Sequence, residues 1–292
     1  MANREDNIRA HSARLAKHLA VPGQGREDVD RLLGNGADRE RRAARWTEEL
    51  SFWTDYTREY PNLAKAAPYQ RLLATVGDML RPASGEVWWD AGCGPLAMTK
   101  VLWEQSQGTI GRVVASDIVL GPARHALETF LGAPRVELLA HNLGVRTAFP
   151  DATFDGIAAN LVVPYVTLAE DGSEEQDAVE FVLREFFRVL RPGGSLVWSV
   201  PRYRVQFLAV FVASIPSMLN LRELGRVGQG LAIIKRALKI QRKGRQGLYS
   251  FLTEAAWEDM LRRVGFTHPI GWQTSFARQA WIMKTRKPYP GE

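Results

Sequence analysis

From residue 86 onward, short apolar runs alternate with segments of helical periodicity. The apolar runs are EVWWD, RVVASD, RVELLA, FDGIAANLVV and GSLVWSV, and the helix-like segments between them are LAMTKVLWEQS, ARHALETFL and EEQDAVEFVLREFFRVL. Strands that alternate with helices at this spacing form βαβ units, whose strands lie parallel in one sheet. The carboxyl-terminal THPIGWQ and FARQAWIMKTR add a pair of strands. The sequence therefore predicts an α/β fold in which Trp88 and Trp89 point to opposite, helix-covered faces of the sheet.

The beginning of the chain has a different sequence pattern from this α/β part. Residues 1–82 are polar and helical in pattern, which predicts an N-terminal helical cap before an α/β domain over residues 83–292. The first residues are too charged for a secretory signal, and no stretch reaches the roughly 18 apolar residues of a spanning helix. A single cysteine, Cys93, excludes an internal disulfide and a cysteine-built zinc site, so we expect a cytoplasmic protein without a metal.

A glycine loop follows the first predicted strand. Asp90 ends the apolar run, and Gly92 and Gly94 then lead into a helix, which leaves backbone N–H groups open to a ligand at the carboxyl edge of the sheet. Together with Ala97, the two glycines also satisfy the dinucleotide pattern G-x-G-x-x-A. The loop alone is therefore compatible with a nicotinamide cofactor, with another nucleotide, or with no ligand.

A second acidic residue, Asp117, ends the next strand 25 residues beyond Gly92. A carboxylate at this place can accept two hydrogen bonds from a ribose diol. The same carboxylate could equally serve only the start of the following helix. Asp117 thus supports a nucleotide site without identifying the cofactor.

Three signals further along separate these alternatives: Asn142-Leu143 after the third strand, FPDATFD before the fourth, and RVLRPGGSL before the fifth. With them, residues 86–201 resemble the class I S-adenosylmethionine-dependent methyltransferases, in particular the methyltransferase type 11 group that includes ubiquinone/menaquinone-type enzymes. The resemblance implies a Rossmann-like three-layer sandwich with a mainly parallel seven-stranded sheet whose last strand is antiparallel. An N-terminal helical extension and a helical insertion after strand five complete the expected architecture.

The resemblance also implies a cofactor, S-adenosyl-L-methionine, and a set of residues around it. Asp90, Gly92, Cys93 and Gly94 would form the loop around its methionine part, and Asp117 would hold the ribose hydroxyls with Ile118 beside the adenine. Asn142 would meet the adenine amino group, Leu143 would offer its backbone N–H, and Asn160 would face the transferring methyl. Two positions depart from the pattern of the family. Leu96 stands where a third glycine is usual, and Asn142 stands where aspartate is common.

The acceptor side is less constrained by the sequence. Tyr165 follows strand four near the expected methyl group, where it could orient an acceptor or only pack. His141 precedes the adenine pair and is a candidate base, although strand alternation could point it away from the site. We expect aromatic side chains of the N-terminal helices and of the insertion to close over the acceptor: Trp53, Tyr56, Tyr60, Tyr203 and Phe207.

The positive charge of the chain is concentrated in one segment. Ten Lys or Arg residues and one Glu lie between residues 202 and 245, which gives this segment +9 of a total charge of +6 and leaves −3 for the remainder. The predicted insertion, residues 202–248, is far longer than a simple link. In its last helix, an apolar face is expected from Leu231, Ile234 and Leu238, and an opposite basic face from Lys235, Lys239, Arg242 and Lys243.

Three interpretations of this segment remain open. It could be a lid with a solvated basic face, an amphipathic contact with anionic membrane, or a site for RNA. Nucleic acid is disfavoured because no aromatic platform is interleaved with the charge. The sequence thus favours a methyltransferase that acts on a small, fairly apolar acceptor, with an RNA- or protein-modifying methyltransferase as the alternative.

Overall fold

The computed structural model describes residues 44–57, 66–130, 135–167, 176–218, 227–267 and 270–292. Much of the predicted N-terminal cap, with Tyr60, lies outside these ranges, as do residues 219–226 of the insertion. The elements, in chain order, are helix α1 (44–57), α2 (Ala67–Leu80), β1 (Val87–Ala91), α3 (Ala97–Gln105), β2 (Arg112–Asp117), α4 (Gly121–Thr129), β3 (Val136–Ala140), β4 (Phe154–Asn160), a 3-10 turn (Val163–Tyr165), α5 (Gln176–Val189), β5 (Leu190–Pro201), α6 (Phe207–Met218), α7 (Val227–Arg245), α8 (Glu254–Val264), β6 (Ile270–Ser275) and β7 (Ala280–Arg286).

One seven-stranded sheet has the order β3-β2-β1-β4-β5-β7-β6. The neighbours from β3 to β5 pair in parallel, whereas β7 pairs antiparallel with both β5 and β6. The predicted Rossmann-like architecture, including the pair of terminal strands, is confirmed. Because strand order reverses beside β1, the carboxyl ends of β1 and β4 border a crevice where this class of fold binds ligands.

The two adjacent tryptophans of β1 divide the core. Trp89 is fully buried in the cluster that holds Phe186 and Trp257, and Trp88 lies in the cluster on the other face with Leu72 and Val113. Successive side chains of a strand point to opposite faces, so both faces of the sheet need a helical cover. The prediction for this tryptophan pair is confirmed.

Helix α2 belongs to that core. Tyr69, Leu72, Val76 and Leu80 of α2 are almost completely buried in the same cluster as Trp88. The helix therefore covers the sheet, although the sequence assigns it to the N-terminal cap. The predicted boundary near residue 82 falls after a helix that already packs on the sheet, and its placement stays a prediction.

Local signals explain where α8 begins and ends. The Thr253 side chain accepts a hydrogen bond from the Ala256 backbone N–H at 3.3 Å, which satisfies one of the donors that a helix start leaves open. Gly265 ends the helix with φ 107°, a left-handed conformation that glycine adopts without a Cβ penalty.

Candidate functional site

A cavity of ≈ 220 Å³ lies at the carboxyl ends of the central strands. One end is formed by the loops after β1, β2 and β3, with Gly92, Gly94, Asp117 and Asn142. The other end is formed by α1, α2, the turn after β4, and helices α6 and α7 of the insertion. The predicted cofactor residues other than Asp90, and most of the predicted acceptor residues, therefore share one continuous cavity.

Two glycines shape the loop after β1. The Gly92 N–H donates to the Ser116 carbonyl at 2.8 Å, and its φ of +74° is left-handed. A Cβ at Gly92 would lie 2.3 Å from the Val162 side chain, so the close approach of this loop to the segment after β4 requires glycine. A Cβ at Gly94 would meet no atom within 4 Å, which means that the backbone there borders open space. A ligand has room beside Gly94.

Asp117 is held by the backbone on either side of it. Its Oδ2 accepts from the Gly94 N–H and its Oδ1 from the Val119 N–H, each at 2.9 Å. The Ile118 backbone N–H also stabilises the carboxylate, which lines the cavity. Burial raises the pKa of Asp117, an effect that the backbone donors oppose. The carboxylate fits a ribose diol, and Ile118 lines the cavity next to it.

Asp90 has a supporting position. It is fully buried and is not part of the cavity wall; its Oδ2 accepts from the Thr99 N–H at 2.9 Å and from the Thr99 hydroxyl at 2.6 Å. Thr99 lies in the first turn of α3, so Asp90 satisfies donors at that helix start. Burial raises the pKa of Asp90 to about 7. Asp90 thus supports the loop from its buried side, and its direct contact with the cofactor stays a prediction.

Leu96 explains how the loop keeps its shape without a third glycine. Its φ of 62° and ψ of 30° are left-handed, and α3 begins at the next residue. An L-residue in this conformation costs about 1–2 kcal/mol. The Leu96 side chain is fully buried with Cys93, Ala115 and Ala123, which offsets that cost. Leu96 therefore packs under the loop and does not narrow the cavity.

Cys93 lies on the cavity wall within the loop. It is 4% exposed, and burial raises the pKa of its thiol well above the ordinary value. A thiol that stays protonated is a weak nucleophile. Cys93 therefore contributes a small side chain to the loop and lacks the electropositive surroundings of a reactive cysteine.

The segment after β3 places His141, Asn142 and Leu143 on the cavity wall. Asn142 Oδ1 accepts from the Gly144 N–H at 3.0 Å, which orients the amide and leaves the oxygen one acceptor position. The His141 ring lies 6.1 Å from that of Trp89, and its Nε2 is buried without a hydrogen-bond partner in the part of the chain that the structure describes. Burial lowers the pKa of His141 to about 4, so the imidazole is neutral at neutral pH. It is a weak proton acceptor there.

Asn160 connects β4 to α2. Its Nδ2 donates to the Tyr69 hydroxyl at 3.2 Å, and its Oδ1 accepts from the Ser199 hydroxyl at 2.6 Å. Both side-chain groups of Asn160 are thus engaged within the protein. The sequence did not single out Tyr69, because a tyrosine on the buried face of a helix is indistinguishable from core until its neighbour is known.

The acceptor end has aromatic walls. The Trp53 ring lies 5.5 Å from Tyr56 and 5.0 Å from Tyr165, and Phe207 lines the same region. Burial raises the pKa of Tyr56 to about 12 and that of Tyr165 well above 10, so neither phenol ionises near neutral pH. The structure therefore brings together Trp53, Tyr56, Phe207 and Tyr165, as the sequence predicts.

Tyr203 does not join this group. It is 56% exposed, is absent from the cavity wall, and lies 5.9 Å from the Arg204 guanidinium. The residue precedes α6 and faces solvent, whereas Phe207 begins that helix and faces inward. A periodic pattern could not separate them, because the start of α6 was not marked in the sequence.

The basic side of α7 is partly turned toward α1. Lys243 is 9% exposed and forms a buried ion pair with Glu49, whose Oε2 also accepts from the Tyr249 hydroxyl at 2.8 Å. Lys239 reaches Glu48 at 3.3 Å, and Arg236 donates to the Asp55 carbonyl at 2.6 Å. Lys243 is therefore buried against α1, so a solvated basic face, one of the three open interpretations, does not include this residue. Three of the cations hold α1 over the cavity.

Residues 89–198 match the family described as a methyltransferase domain. No curated protein matches the sequence of this chain. Similar solved structures include a Burkholderia thailandensis 1,6-didemethyltoxoflavin-N1-methyltransferase with bound 1,6-didemethyltoxoflavin and S-adenosylhomocysteine, at 20% identity and a TM-score of 0.55, over 87% of this chain and 92% of that one.

Two further solved structures share this fold. A complex of the Haloferax volcanii Trm112 methyltransferase activator with a protein described as a methyltransferase has 12% identity and a TM-score of 0.56, over 84% of this chain and 98% of that one. The N-methyltransferase NodS of Bradyrhizobium japonicum, with S-adenosylhomocysteine, has 14% identity and a TM-score of 0.51, over 78% and 91%. At these identities the likeness shows the fold.

Proposed function

We propose that this chain is an S-adenosylmethionine-dependent methyltransferase that transfers the methyl group to a small, fairly apolar acceptor. The match of residues 89–198 to the methyltransferase-domain family supports the reaction. The observation that carries the proposal is the single cavity that joins the Gly92–Gly94 loop and Asp117 to the aromatic walls around Trp53 and Tyr165. A methyl donor and an acceptor that occupy the two ends would meet in one enclosed space.

The cofactor end supports binding of S-adenosylmethionine through named groups. We assign the ribose hydroxyls to Asp117, whose carboxylate lines the cavity, and the methionine part to the open space beside Gly94. Asn142 and Leu143 would contact the adenine. When bound, the cofactor supplies an electrophilic methyl group on sulfur and a good leaving group.

The protein contributes position and exclusion of water to this reaction. In-line methyl transfer requires the acceptor atom and the methyl carbon at near-attack distance in a dry site. The aromatic walls and helices α1, α6 and α7 provide such an enclosure. His141 is neutral and weakly basic, and Tyr165 stays protonated, so we assign to Tyr165 the orientation of the acceptor and assign no proton abstraction to either.

The character of the acceptor follows from the wall of the cavity. Trp53, Tyr56, Tyr165, Phe207 and Phe276 supply flat apolar surface, against which an aromatic or alicyclic ring packs well. The Burkholderia neighbour is a methyltransferase bound to a small molecule, which supports the same substrate scale.

An RNA- or protein-modifying methyltransferase is the alternative. It would use the basic segment 202–248 as its docking surface. Because Lys239, Lys243 and Arg236 contact α1, fewer cations are available for a polyanion than the sequence suggests. The enclosed aromatic end also fits a small molecule better than a polymer.

A peripheral membrane contact is a further part of the proposal. Helix α6 exposes Leu208 and Val212, each 57% accessible, and α7 exposes Leu238 at 45%. Leu208 and Leu238 also line the cavity, and the exposed Lys235 and Arg242 flank Leu238 on α7. Apolar side chains beside cations suit the surface of an anionic bilayer. Among the described helices, none combines the length and apolar composition that crossing a bilayer requires.

The acceptor class is tested with tritiated S-adenosylmethionine and cell extracts. We expect label that partitions into organic solvent and resists protease and nuclease. Label in acid-precipitable material that either hydrolase releases would favour the alternative. Membrane contact is tested by co-sedimentation with vesicles that contain 30% phosphatidylserine: binding by the wild type, weakened by Leu208→Asp, is expected, and absence of binding contradicts the contact.

A further inference from the structure

The cavity reaches the surface of the protein at two leucines. Leu208 of α6 and Leu238 of α7 are 57% and 45% exposed, and both also line the cavity. Among the described residues of the cavity wall, these two alone are exposed, and the others are buried or half-buried. A side chain that borders both solvent and the cavity marks an opening. The cavity therefore has a mouth between Leu208 and Leu238, which we call the α6–α7 mouth.

An apolar path leads inward from the α6–α7 mouth. Phe207 and Phe211 line the cavity on the side of α6, and Ile234 and Ala237 line it on the side of α7. Phe207 packs on the same hydrophobic cluster as the aromatic walls of the acceptor end, so the path is continuous with them. The Phe207 N–H donates to Gln241 Oε1 at 3.0 Å, which joins the start of α6 to α7.

The rim of the α6–α7 mouth combines apolar side chains with cations. On α6, Val212 is 57% exposed and lies one turn beyond Leu208; on α7, Lys235 and Arg242 lie one turn to either side of Leu238. Both cations are exposed, and neither has an ion-pair partner in the described ranges of the chain. Leucine and valine beside unpaired cations match an anionic bilayer, whose acyl boundary takes the apolar groups and whose headgroups take the charge.

We propose that the acceptor enters the cavity through the α6–α7 mouth directly from an anionic bilayer, so that the substrate is a membrane-dissolved molecule. The proposal rests on the proposed function and names the source of its acceptor. An apolar molecule that left the bilayer through water would expose its surface, at a cost that grows with its apolar area. Docking the mouth on the bilayer removes this step, because the path from the acyl chains to the aromatic walls stays apolar. Leu208 and Leu238 then control access of the acceptor.

A bulky label at the mouth tests the route. Leu208→Cys and Tyr203→Cys are each modified with fluorescein maleimide; Tyr203 is 56% exposed but absent from the cavity wall, which makes it the matched control. Wild-type protein treated in the same way reports any reaction at Cys93, which is 4% exposed. The acceptor is an organic-solvent extract of cell membranes in detergent micelles, with tritiated S-adenosylmethionine as donor. We expect the dye at position 208 to slow the formation of organic-soluble label at least about tenfold, and the dye at position 203 to change it less than about twofold.

The same extract in vesicles tests the source. Vesicles that contain phosphatidylserine are compared with vesicles of phosphatidylcholine alone. We expect transfer from the anionic vesicles to be at least about tenfold faster, because Lys235 and Arg242 both contribute, and Lys235→Gln to reduce this advantage about fivefold. Arg124→Gln removes an exposed cation from α4, outside the insertion, and should leave the advantage unchanged.

Three results would overturn the proposal. These are a dye at position 208 that slows transfer no more than the dye at position 203, equal rates from the two kinds of vesicle, and an advantage of anionic vesicles that Lys235→Gln does not reduce. Failure of the proposed function gives a different result. The wild type then forms no organic-soluble label from micelles or from vesicles, or does not bind S-adenosylhomocysteine in a calorimetric titration, and the proposal is refuted with it.

Discussion

Replacing Lys243 by methionine tests whether a buried ion pair holds α1 over the cavity. The side chains of Lys243 and Glu49 are 11% and 8% exposed, and the Glu49 carboxylate has one further donor, the Tyr249 hydroxyl. Removing the ammonium leaves a buried carboxylate with a single hydrogen bond. Methionine keeps the length of the side chain, so the lost charge is the main change.

The burial of the pair sets the size of the effect. Breaking a buried pair by removing one partner costs about 3–5 kcal/mol, whereas an exposed pair contributes about 0–1 kcal/mol. The side chains of the neighbouring pair, Lys239 and Glu48, are 47% and 62% exposed, so Lys239→Met should cost only what an exposed pair contributes. Lys235, exposed on the same helix, has no ion-pair partner in the described part of the chain and provides the matched control. We expect the free energy of unfolding to fall most for Lys243→Met, less for Lys239→Met and least for Lys235→Met.

Urea unfolding followed by tryptophan fluorescence measures this series, because Trp46 and Trp53 both lie on α1. If α1 detaches from the cavity before the rest of the protein unfolds, the destabilisation by Lys243→Met appears as an early transition in fluorescence. Far-ultraviolet circular dichroism then shows no matching change. S-adenosylhomocysteine affinity should stay within about threefold, since the pair lies at the acceptor end. A free energy of unfolding for Lys243→Met within about 0.5 kcal/mol of that for Lys235→Met, without an early transition, would refute the reasoning.

Two further predictions concern the cofactor end. Gly92→Ala should weaken S-adenosylhomocysteine binding at least about tenfold, because the new Cβ would lie 2.3 Å from Val162. The control is Gly85→Ala, which has a similar positive φ but no atom within 4 Å of the new Cβ, and it should change the affinity less than about twofold. Equal effects of the two substitutions would contradict the steric explanation. Burial lowers the pKa of His141 to about 4 in the folded protein, below its unfolded value near 6.5. Between these two pH values the unfolded state binds more protons than the folded state. The contribution of His141 to stability is therefore lost as the pH falls from about 6.5 to about 4. The stability difference between wild type and His141→Phe should therefore shift against the wild type by up to about 3 kcal/mol between pH 7 and pH 4.5. A difference that does not depend on pH would show that His141 has the same pKa in the folded and the unfolded protein.

The fold was predictable because its signals are local and repeated. The alternation of apolar runs and helices fixed the βαβ units, and Trp88-Trp89 marked a strand with two covered faces. The sequence alone could not show whether α2 belongs to the α/β domain or to the N-terminal cap. Its buried face is satisfied equally by a separate helical cap and by the sheet, and only the three-dimensional placement of Tyr69 and Leu72 beside Trp88 decides between them.

The site was predictable where its residues are tied to one loop or one strand end. Gly92, Asp117, Asn142 and Asn160 reach the cavity because parallel strands end at one edge of the sheet. The acceptor end depends on contacts between residues that are distant in sequence. Glu49 and Lys243 are 194 positions apart, and each alone resembles an ordinary surface charge. For the same reason, the helical pattern placed Lys243 on the basic face of α7, opposite the apolar face.

The most direct test of the central claim is calorimetric titration of S-adenosylhomocysteine into the wild-type protein and into Asp117→Ala. The account predicts one site per chain in the wild type and at least a tenfold loss of affinity in the variant, because two hydrogen bonds to a charged acceptor are removed. Circular dichroism of the variant confirms that it is folded. Absence of S-adenosylhomocysteine binding by the wild type, or affinity that the loss of Asp117 leaves unchanged, would contradict the assignment of the glycine-loop end of the cavity to the cofactor.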